Sequence, residues 1–348
     1  MKKVFALVII LAMTLTACSY GSNSWAIKDG DNEINMEEYL YYCLMAYENA
    51  VYMVDSETRV LDATIDSMTA TEYIFSDVMR YCQTYLWLES QIEELDITYT
   101  DQEIDDVEYL TEAQMEYIGD YLEYYGISED SFHTAYSIYS LNYQKVFEAL
   151  YSEGGEFEVA DEEFLEYYSE NYYSYQYIFA PLMEVNEDNE NISISEEDKE
   201  VLTELFEEYM SQIENGEKTL EECGEDYMEL TDLEVAPYND LSTKTSEDNF
   251  PTNFLENLEI MENGEMMIFE SDSLLILMMK TDIVETAENL DDNSRLYSIM
   301  EDKWFEYNSY VIEQATTTMS DIEVNEDAIS EINLEDFVTE YNEYGYSY

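Results

Sequence analysis

The stretch Tyr175-Gln-Tyr-Ile-Phe-Ala-Pro-Leu182 decides the fold class, because it interrupts a chain that is otherwise patterned for helices. Its aromatic and β-branched residues favour a strand, and Pro181 ends the run. A second run of this character lies at Leu274–Met279. By contrast, residues 25–170 contain no proline, which suits a continuous series of helices. The sequence therefore predicts an α+β, mostly helical fold with a small sheet.

Two capping boxes indicate where helices begin on the N-terminal side of this stretch. Asn35 is followed three residues later by Glu38, and Thr100 is followed three residues later by Glu103. Apolar residues then recur at helical spacing after each box. We also expect a long helix from about Glu57 to Leu95 and a final amphipathic helix carrying Trp304 and Tyr307. These elements would form a helical lobe around the strand-rich segment.

The charge balance narrows the partners that this chain can bind. Its 348 residues include 83 acidic and 12 basic ones, so the formal net charge is -71. A phosphate-binding surface requires clustered Lys and Arg, which excludes nucleic acid and electrostatic docking on anionic lipid. Hydrophobic residues make up 46% of the chain, enough to build a packed core. We expect a soluble, strongly acidic surface that attracts cations.

The N-terminus has the pattern of an export signal. Lys2 and Lys3 precede the apolar run Val4–Leu15, which is too short to span a bilayer comfortably. The following Leu15-Thr-Ala-Cys18 is similar to the bacterial lipobox, in which the cysteine is lipidated and becomes the new N-terminus. We therefore predict lipidation of Cys18; the alternative is an ordinary cleaved signal that happens to contain a cysteine.

The remaining cysteines and the single histidine do not form a recognisable metal site. Cys43 and Cys82 lie in apolar helical stretches, where buried free thiols are favoured over a disulfide, although an exported chain permits one. There is no Cys-x-x-Cys, and His133 is the only histidine. Asp29-Gly-Asp-Asn-Glu33 is similar to the start of a calcium loop, but Ile34 stands where that loop needs glycine. We expect neither a metal nor a cofactor.

Four short segments, in order along the chain, resemble the PrsA/SurA-type foldases. These segments are Trp25-Ala-Ile-Lys-Asp-Gly30, Asp96-Ile-Thr-Tyr-Thr-Asp-Gln-Glu103, Tyr125-Gly-Ile-Ser-Glu-Asp-Ser-Phe132 and Val159-Ala-Asp-Glu-Glu-Phe-Leu-Glu-Tyr-Tyr168. The resemblance implies an extracytoplasmic chaperone. Its fold would be a SurA-like helical N-terminal lobe, completed by a C-terminal helix, with an inserted parvulin-like α/β domain.

The resemblance also implies a degenerate prolyl isomerase pocket. The family carries a histidine in its first and last strands, where this chain has Tyr177 and Ile276. Phe250 and Phe254 would retain the apolar proline pocket. Without the histidine pair we expect weak or absent isomerase activity and assign no catalytic residue. We expect a four-stranded sheet with helices on one face, whose outer strands are Gln176–Pro181 and Leu274–Lys280.

These inferences give a domain plan and a function. The predicted segments are a lipoprotein signal peptide (1–17), a tether (18–24), a helical chaperone-like lobe (25–171), a degenerate parvulin-like domain (172–283) and a returning helix with an acidic tail (284–348). The implied function is that of a membrane-anchored chaperone that binds unfolded exported polypeptides. The alternative is a non-catalytic surface lipoprotein that binds a glycan or a protein partner.

Overall fold

The computed structural model describes residues 24–185, 191–231, 233–246 and 253–337, so Cys18, Phe250 and the signal peptide lie outside the described residues. The chain divides into two compact units. The larger unit comprises the chain up to Glu158 and again from Met300, and the smaller unit is Val159–Ile299. The predicted boundaries were 171/172 and 283/284. The smaller unit is longer because the helices at both its ends pack with its own strands.

The larger unit is built from long helices and short strands. Its helices up to Glu158 are α1 Met36–Tyr52, α2 Ala70–Glu94, α3 Asp101–Tyr124, α4 Glu129–Phe132 and, after the π-helical segment His133–Ile138, α5 Tyr139–Tyr151. Its strands there are β1 Trp25–Asp29, β2 Asn32–Asn35, β3 Thr64–Ile65 and β4 Met68–Thr69. A 3₁₀ turn covers Val60–Asp62.

The smaller unit alternates helices with strands. Its helices are α6 Asp161–Asn171, α7 Glu196–Glu214, α8 Leu220–Thr231, α9 Phe254–Ile260 and α10 Ile283–Glu288. Its strands are β5 Tyr172–Pro181, β6 Met183–Val185, β7 Asn191–Ser193, β8 Tyr238–Lys244, β9 Met266–Glu270 and β10 Leu274–Lys280. Helix α11 spans Asp292–Thr318, and β11 Glu323–Val324 and α12 Glu326–Ile329 follow it. The prediction of an α+β, mostly helical fold is confirmed.

Strand pairing joins the two ends of the larger unit. Strand β1 pairs antiparallel with β2 and, on its other edge, with β11, where Ile27 lies opposite Val324. The Asn325 side-chain amide donates to the Trp25 carbonyl at 2.8 Å. The chain must therefore be synthesised beyond the smaller unit before this sheet can be completed.

Both predicted capping boxes are present. The Asn35 side chain accepts hydrogen bonds from the first turn of α1, and Glu38 accepts from the Asn35 backbone N–H. Thr100 and Glu103 form the same arrangement at α3. Each box satisfies backbone donors that have no partner within the helix, which fixes the first residue of the helix.

The predicted helix from Glu57 to Leu95 is wrong in its first third. Asp66 and Ser67 both have positive φ, at 48° and 70°, and form the turn of the β3–β4 hairpin. This turn has the conformation that matches the twist of a tight hairpin. Helix α2 begins only after Thr69, which forms a capping box with Glu72.

Glu38 and Glu72 occupy equivalent capping positions in opposite environments. Glu38 is buried, and desolvation raises the pKa of its carboxyl to about 7. Glu72 is exposed, and the hydrogen bonds from Thr69 lower the pKa of its carboxyl. The same local motif therefore binds a proton more tightly on folding in one helix and less tightly in the other.

We predict that Glu38→Gln and Glu72→Gln change the pH dependence of stability in opposite directions. Since the pKa of Glu38 is raised on folding, its stabilising effect is complete below its unfolded pKa and is lost as the pH rises through about 7. Glu38→Gln should therefore stabilise the larger unit at pH 8 by on the order of 2 kcal/mol. Glu72→Gln should remove stability that is present at neutral pH and already lost in acid.

Urea unfolding followed by tryptophan fluorescence measures this effect, because Trp25, Trp87 and Trp304 all belong to the larger unit. Comparison of each variant with wild type at pH 5 and pH 8 cancels the change in overall charge repulsion. Shifts of the same sign in the two variants would contradict the assignment.

Candidate functional site

The strand order of the smaller unit places the candidate site. The four-stranded antiparallel sheet has the order β8-β5-β10-β9, so β5 and β10 are its central strands. The prediction that they are the outer strands is therefore wrong. Both carry apolar residues on two faces, which is the pattern of a strand covered on both sides. Strand β8 was not predicted, because Tyr238–Lys244 is largely polar and forms an edge.

Alternate residues of β5 point to two separate apolar clusters. Ile178 and Ala180 face α7 and α8, where they pack with Phe206 and Cys223. A Cβ at Gly224 would lie only 3.2 Å from Ile178 Cγ2, so glycine lets α8 approach the sheet closely. Helices therefore cover this face, and among the described residues α9 packs on the opposite face.

The opposite face carries an aromatic ladder, which we define as Tyr173, Tyr175, Tyr177 and Phe179 of β5. Tyr175 and Tyr177 stack with ring centroids 5.9 Å apart, and Tyr177 and Phe179 are 6.3 Å apart. Tyr175 is buried, whereas the other three rings are half-buried. Three of the four rings therefore keep part of their surface accessible along a central strand of the sheet.

An apolar floor supports the ladder, and we define it as Phe254, Phe269, Ile276 and Met278. Phe254 of α9 is buried and packs edge-on against Tyr175 at 5.5 Å and against Phe269 at 5.4 Å. Ile276 and Met278 of β10 belong to the same cluster. Three of the four predicted pocket residues, Tyr177, Phe254 and Ile276, are thus brought together. Phe250 lies outside the described residues.

Lys280 fixes α9 over this face. Its ammonium donates to the carbonyls of Leu258 and Met261 at 2.6 Å and 2.8 Å, at the end of the helix. A cation here satisfies terminal carbonyls and complements the helix dipole. The ammonium also lies 5.5 Å from the centre of the Tyr173 ring. One of the few basic residues is therefore used to position the site.

Tyr177 and Ile276, where the family resemblance predicted replaced histidines, make apolar contacts with other described residues. Ile276 has no polar side-chain atom, and the Tyr177 hydroxyl has no hydrogen bond to another described residue. Burial raises the pKa of that hydroxyl, which keeps it neutral. Among the described residues, the arrangement offers apolar and ring surface to an apolar or ring-containing group.

The remaining predicted features belong to the larger unit. Trp304 packs against Tyr143 and Tyr307 at 5.3 Å and 6.2 Å, and 47% of it remains exposed. Cys43 and Cys82 are buried free thiols. His133 lies in the π-helical segment, where its Nδ1 is 2.8 Å from Thr111 Oγ1. These residues contribute mainly to packing.

Within the described part of the chain, no group of three or more His, Cys, Asp or Glu side chains is arranged to hold a metal ion. The same part contains no helix long and apolar enough to cross a bilayer.

Comparison with known proteins finds similarity in structure but not in sequence families. No family model matches the chain, and no curated protein matches it. The foldase PrsA from Streptococcus pneumoniae aligns with 88% of this chain and 97% of its own at 13% identity and a TM-score of 0.40.

Two other solved structures align over similar lengths. PrsA from Lactococcus lactis covers 90% of this chain and 99% of its own at 13% identity and a TM-score of 0.37. A structure reported for PEB4 and Cj1289, described as SurA-like chaperones of Campylobacter jejuni, covers 87% and 98% at 12% identity and a TM-score of 0.26.

We predict that Phe254→Ala, in the apolar floor, destabilises the smaller unit more than Phe179→Ala, in the ladder, does. Phe254 is buried, so its truncation leaves a cavity and should destabilise the smaller unit by about 3–5 kcal/mol. Phe179 is only half-buried, and its truncation should cost about 1–2 kcal/mol. Hydrogen exchange of the β5 and β10 amides, read by mass spectrometry, measures both effects locally. Equal losses of protection would show that the ladder is part of the core.

Proposed function

We propose that this protein is a membrane-anchored extracytoplasmic chaperone that holds unfolded exported polypeptides without catalysing prolyl isomerisation. The observation that supports this most is the aromatic ladder, whose half-buried rings lie above an apolar floor. Such a surface gains free energy by removing exposed apolar side chains of a client from water, with little sequence specificity. The motifs that resemble PrsA/SurA-type foldases favour the same function.

Weak or absent isomerase activity is expected from Tyr177 and Ile276, the residues at the two positions where the family has histidines. Rotation about an X–Pro bond must cross a barrier of about 18–20 kcal/mol. In the family, a histidine pair holds the hydrogen-bond network of the pocket that lowers this barrier. Tyr177 and Ile276 cannot form that network in the family's manner, because Ile276 has no polar side-chain atom and the Tyr177 hydroxyl has no hydrogen bond to another described residue. The apolar surface that would bind a client is therefore retained, whereas the hydrogen-bond network needed for catalysis is not.

We predict that the mature chain suppresses aggregation of an unfolded client but does not accelerate a proline-limited refolding step. Tyr177→Ala and Phe179→Ala should each weaken this suppression at least threefold, because each removes a half-buried ring of the ladder. Leu230→Ala is the matched control, since Leu230 is an exposed apolar residue on α8, on the covered side of the sheet. The measurements are light scattering of a denatured client and the rate of its refolding.

Three outcomes would overturn parts of this proposal. Faster refolding that is lost in Tyr177→Ala would show a working isomerase. Equal effects of the ladder variants and Leu230→Ala would remove the ladder from client binding. Tight binding to one glycan or one folded partner, with no suppression of aggregation, would favour the alternative of a surface lipoprotein.

The membrane anchor is part of the same proposal. A lipidated Cys18 would hold the chain at a membrane whose anionic surface repels so acidic a protein. We predict that Cys18→Ala abolishes incorporation of labelled fatty acid and releases the protein from the membrane fraction. Ser19→Ala, which changes the next residue, should leave both unchanged. Continued labelling of Cys18→Ala would contradict lipidation at this position.

A further inference from the structure

The exposed face of α3 carries aromatic side chains that the fold does not use. Tyr109 and Tyr117 are 74% and 75% exposed, although both lie within a regular helix. Neither makes a hydrogen bond or a ring contact with another described residue. Two tyrosines in this state contribute little to packing within the larger unit, and most of each ring is accessible to a ligand.

Acidic residues surround these two rings. With 3.6 residues per turn, the positions that share their side of the helix are largely acidic, and all of these acids are exposed. The acidic residues on this side are Asp105, Asp106, Glu112, Glu116 and Asp120. We define the α3 face as Tyr109, Tyr117 and these five residues.

The α3 face has no cation of its own. Helix α3 contains neither Lys nor Arg, and among the described residues its only acid in a salt bridge is Glu103, which pairs with Lys145 at 2.8 Å. Glu112, Glu116 and Asp120 follow one another at four-residue intervals, where like charges repel. A cationic ligand would relieve this repulsion, whereas an anionic one would add to it.

We propose that the α3 face binds Lys- and Arg-rich segments of unfolded polypeptides. This proposal rests on the proposed function, which makes the client an unfolded polypeptide. It adds that the bound segment of the client is positively charged. A cation within about 6 Å of a tyrosine ring is attracted to its face, and the adjacent carboxylates pair with it at the same time. The charge of the face excludes an acidic client, and its small apolar area does not favour a purely apolar one.

The spacing of the rings suggests the spacing of the cations. Tyr109 and Tyr117 are eight residues apart, which corresponds to roughly 12 Å along a helix. An extended polypeptide covers that distance in about four residues. A client with basic residues at every fourth position can therefore place one cation on each ring.

The test must separate the α3 face from the attraction that the whole acidic chain exerts on any cation. The probe is an unstructured Gly/Ser peptide with arginine at every fourth position, and its neutral counterpart has citrulline instead. The variant Tyr109→Ala/Tyr117→Ala changes no charge and should weaken binding of the arginine peptide about tenfold at physiological ionic strength. Calorimetry with the mature chain measures this.

Two further variants control for the effect. Tyr52→Ala/Tyr297→Ala removes two other tyrosines that are 74% and 65% exposed, and it should bind the arginine peptide like wild type. Tyr109→Phe/Tyr117→Phe keeps both rings and should retain binding within about twofold. The citrulline peptide should bind weakly to every variant.

The inference is overturned if Tyr109→Ala/Tyr117→Ala binds the arginine peptide as tightly as wild type, or if the control pair loses binding equally. Failure of the proposed function is a separate result, because suppression of aggregation of an uncharged apolar client depends on the aromatic ladder and not on α3. A chain that binds the arginine peptide through α3 but holds no apolar client would retain the inference and lose the proposed function.

Discussion

A net charge of -71 is the constraint on which the rest of this structure depends. Self-repulsion of this size destabilises the compact state, and the salt bridges of the described residues are mostly exposed pairs that contribute little each. Cohesion therefore comes from the buried apolar core, in which aromatic packing has a large share. Tyr39, Tyr175 and Tyr307 are among the largest fully buried side chains, and the Tyr307 hydroxyl donates to the Tyr143 carbonyl at 2.7 Å. Burial raises the pKa of these phenols, so they fill the core without adding charge.

Strand β5 shows how one segment serves both the core and the candidate site. Because side chains alternate across a strand, its even positions complete the core under α7 and α8 while its odd positions form the aromatic ladder. Pairing with β8 and β10 on both edges holds the rings in register. Substitutions in the ladder are therefore expected to affect stability as well as the proposed client binding, whereas substitution of Phe254 should affect mainly stability.

The sequence predictions were accurate where a feature depends on local interactions and less accurate where it depends on contacts between distant parts of the chain. The capping boxes at Asn35 and Thr100 are local and were predicted to the residue. The hairpin turn at Asp66 and Ser67 was missed, because neither residue is glycine although both have positive φ. Strand order was predicted wrongly, since it depends on β8, whose polar sequence gives no strand signal. The gathering of Tyr177, Phe254 and Ile276 was anticipated only through resemblance to a family.

The two proposed binding surfaces use tyrosine in different physical ways. In the aromatic ladder the rings lie over an apolar floor, so a client gains by desolvation and its charge is secondary. On the α3 face the rings are exposed to water and lie among carboxylates. There only a cation is attracted both by the rings and by the carboxylates. The long-range electrostatic field of the chain concentrates cationic segments near its surface, but it does not determine where on the surface they bind. Exposed tyrosines among carboxylates can determine the binding position, because at short range the attraction of the ring for a cation adds to that of the carboxylates.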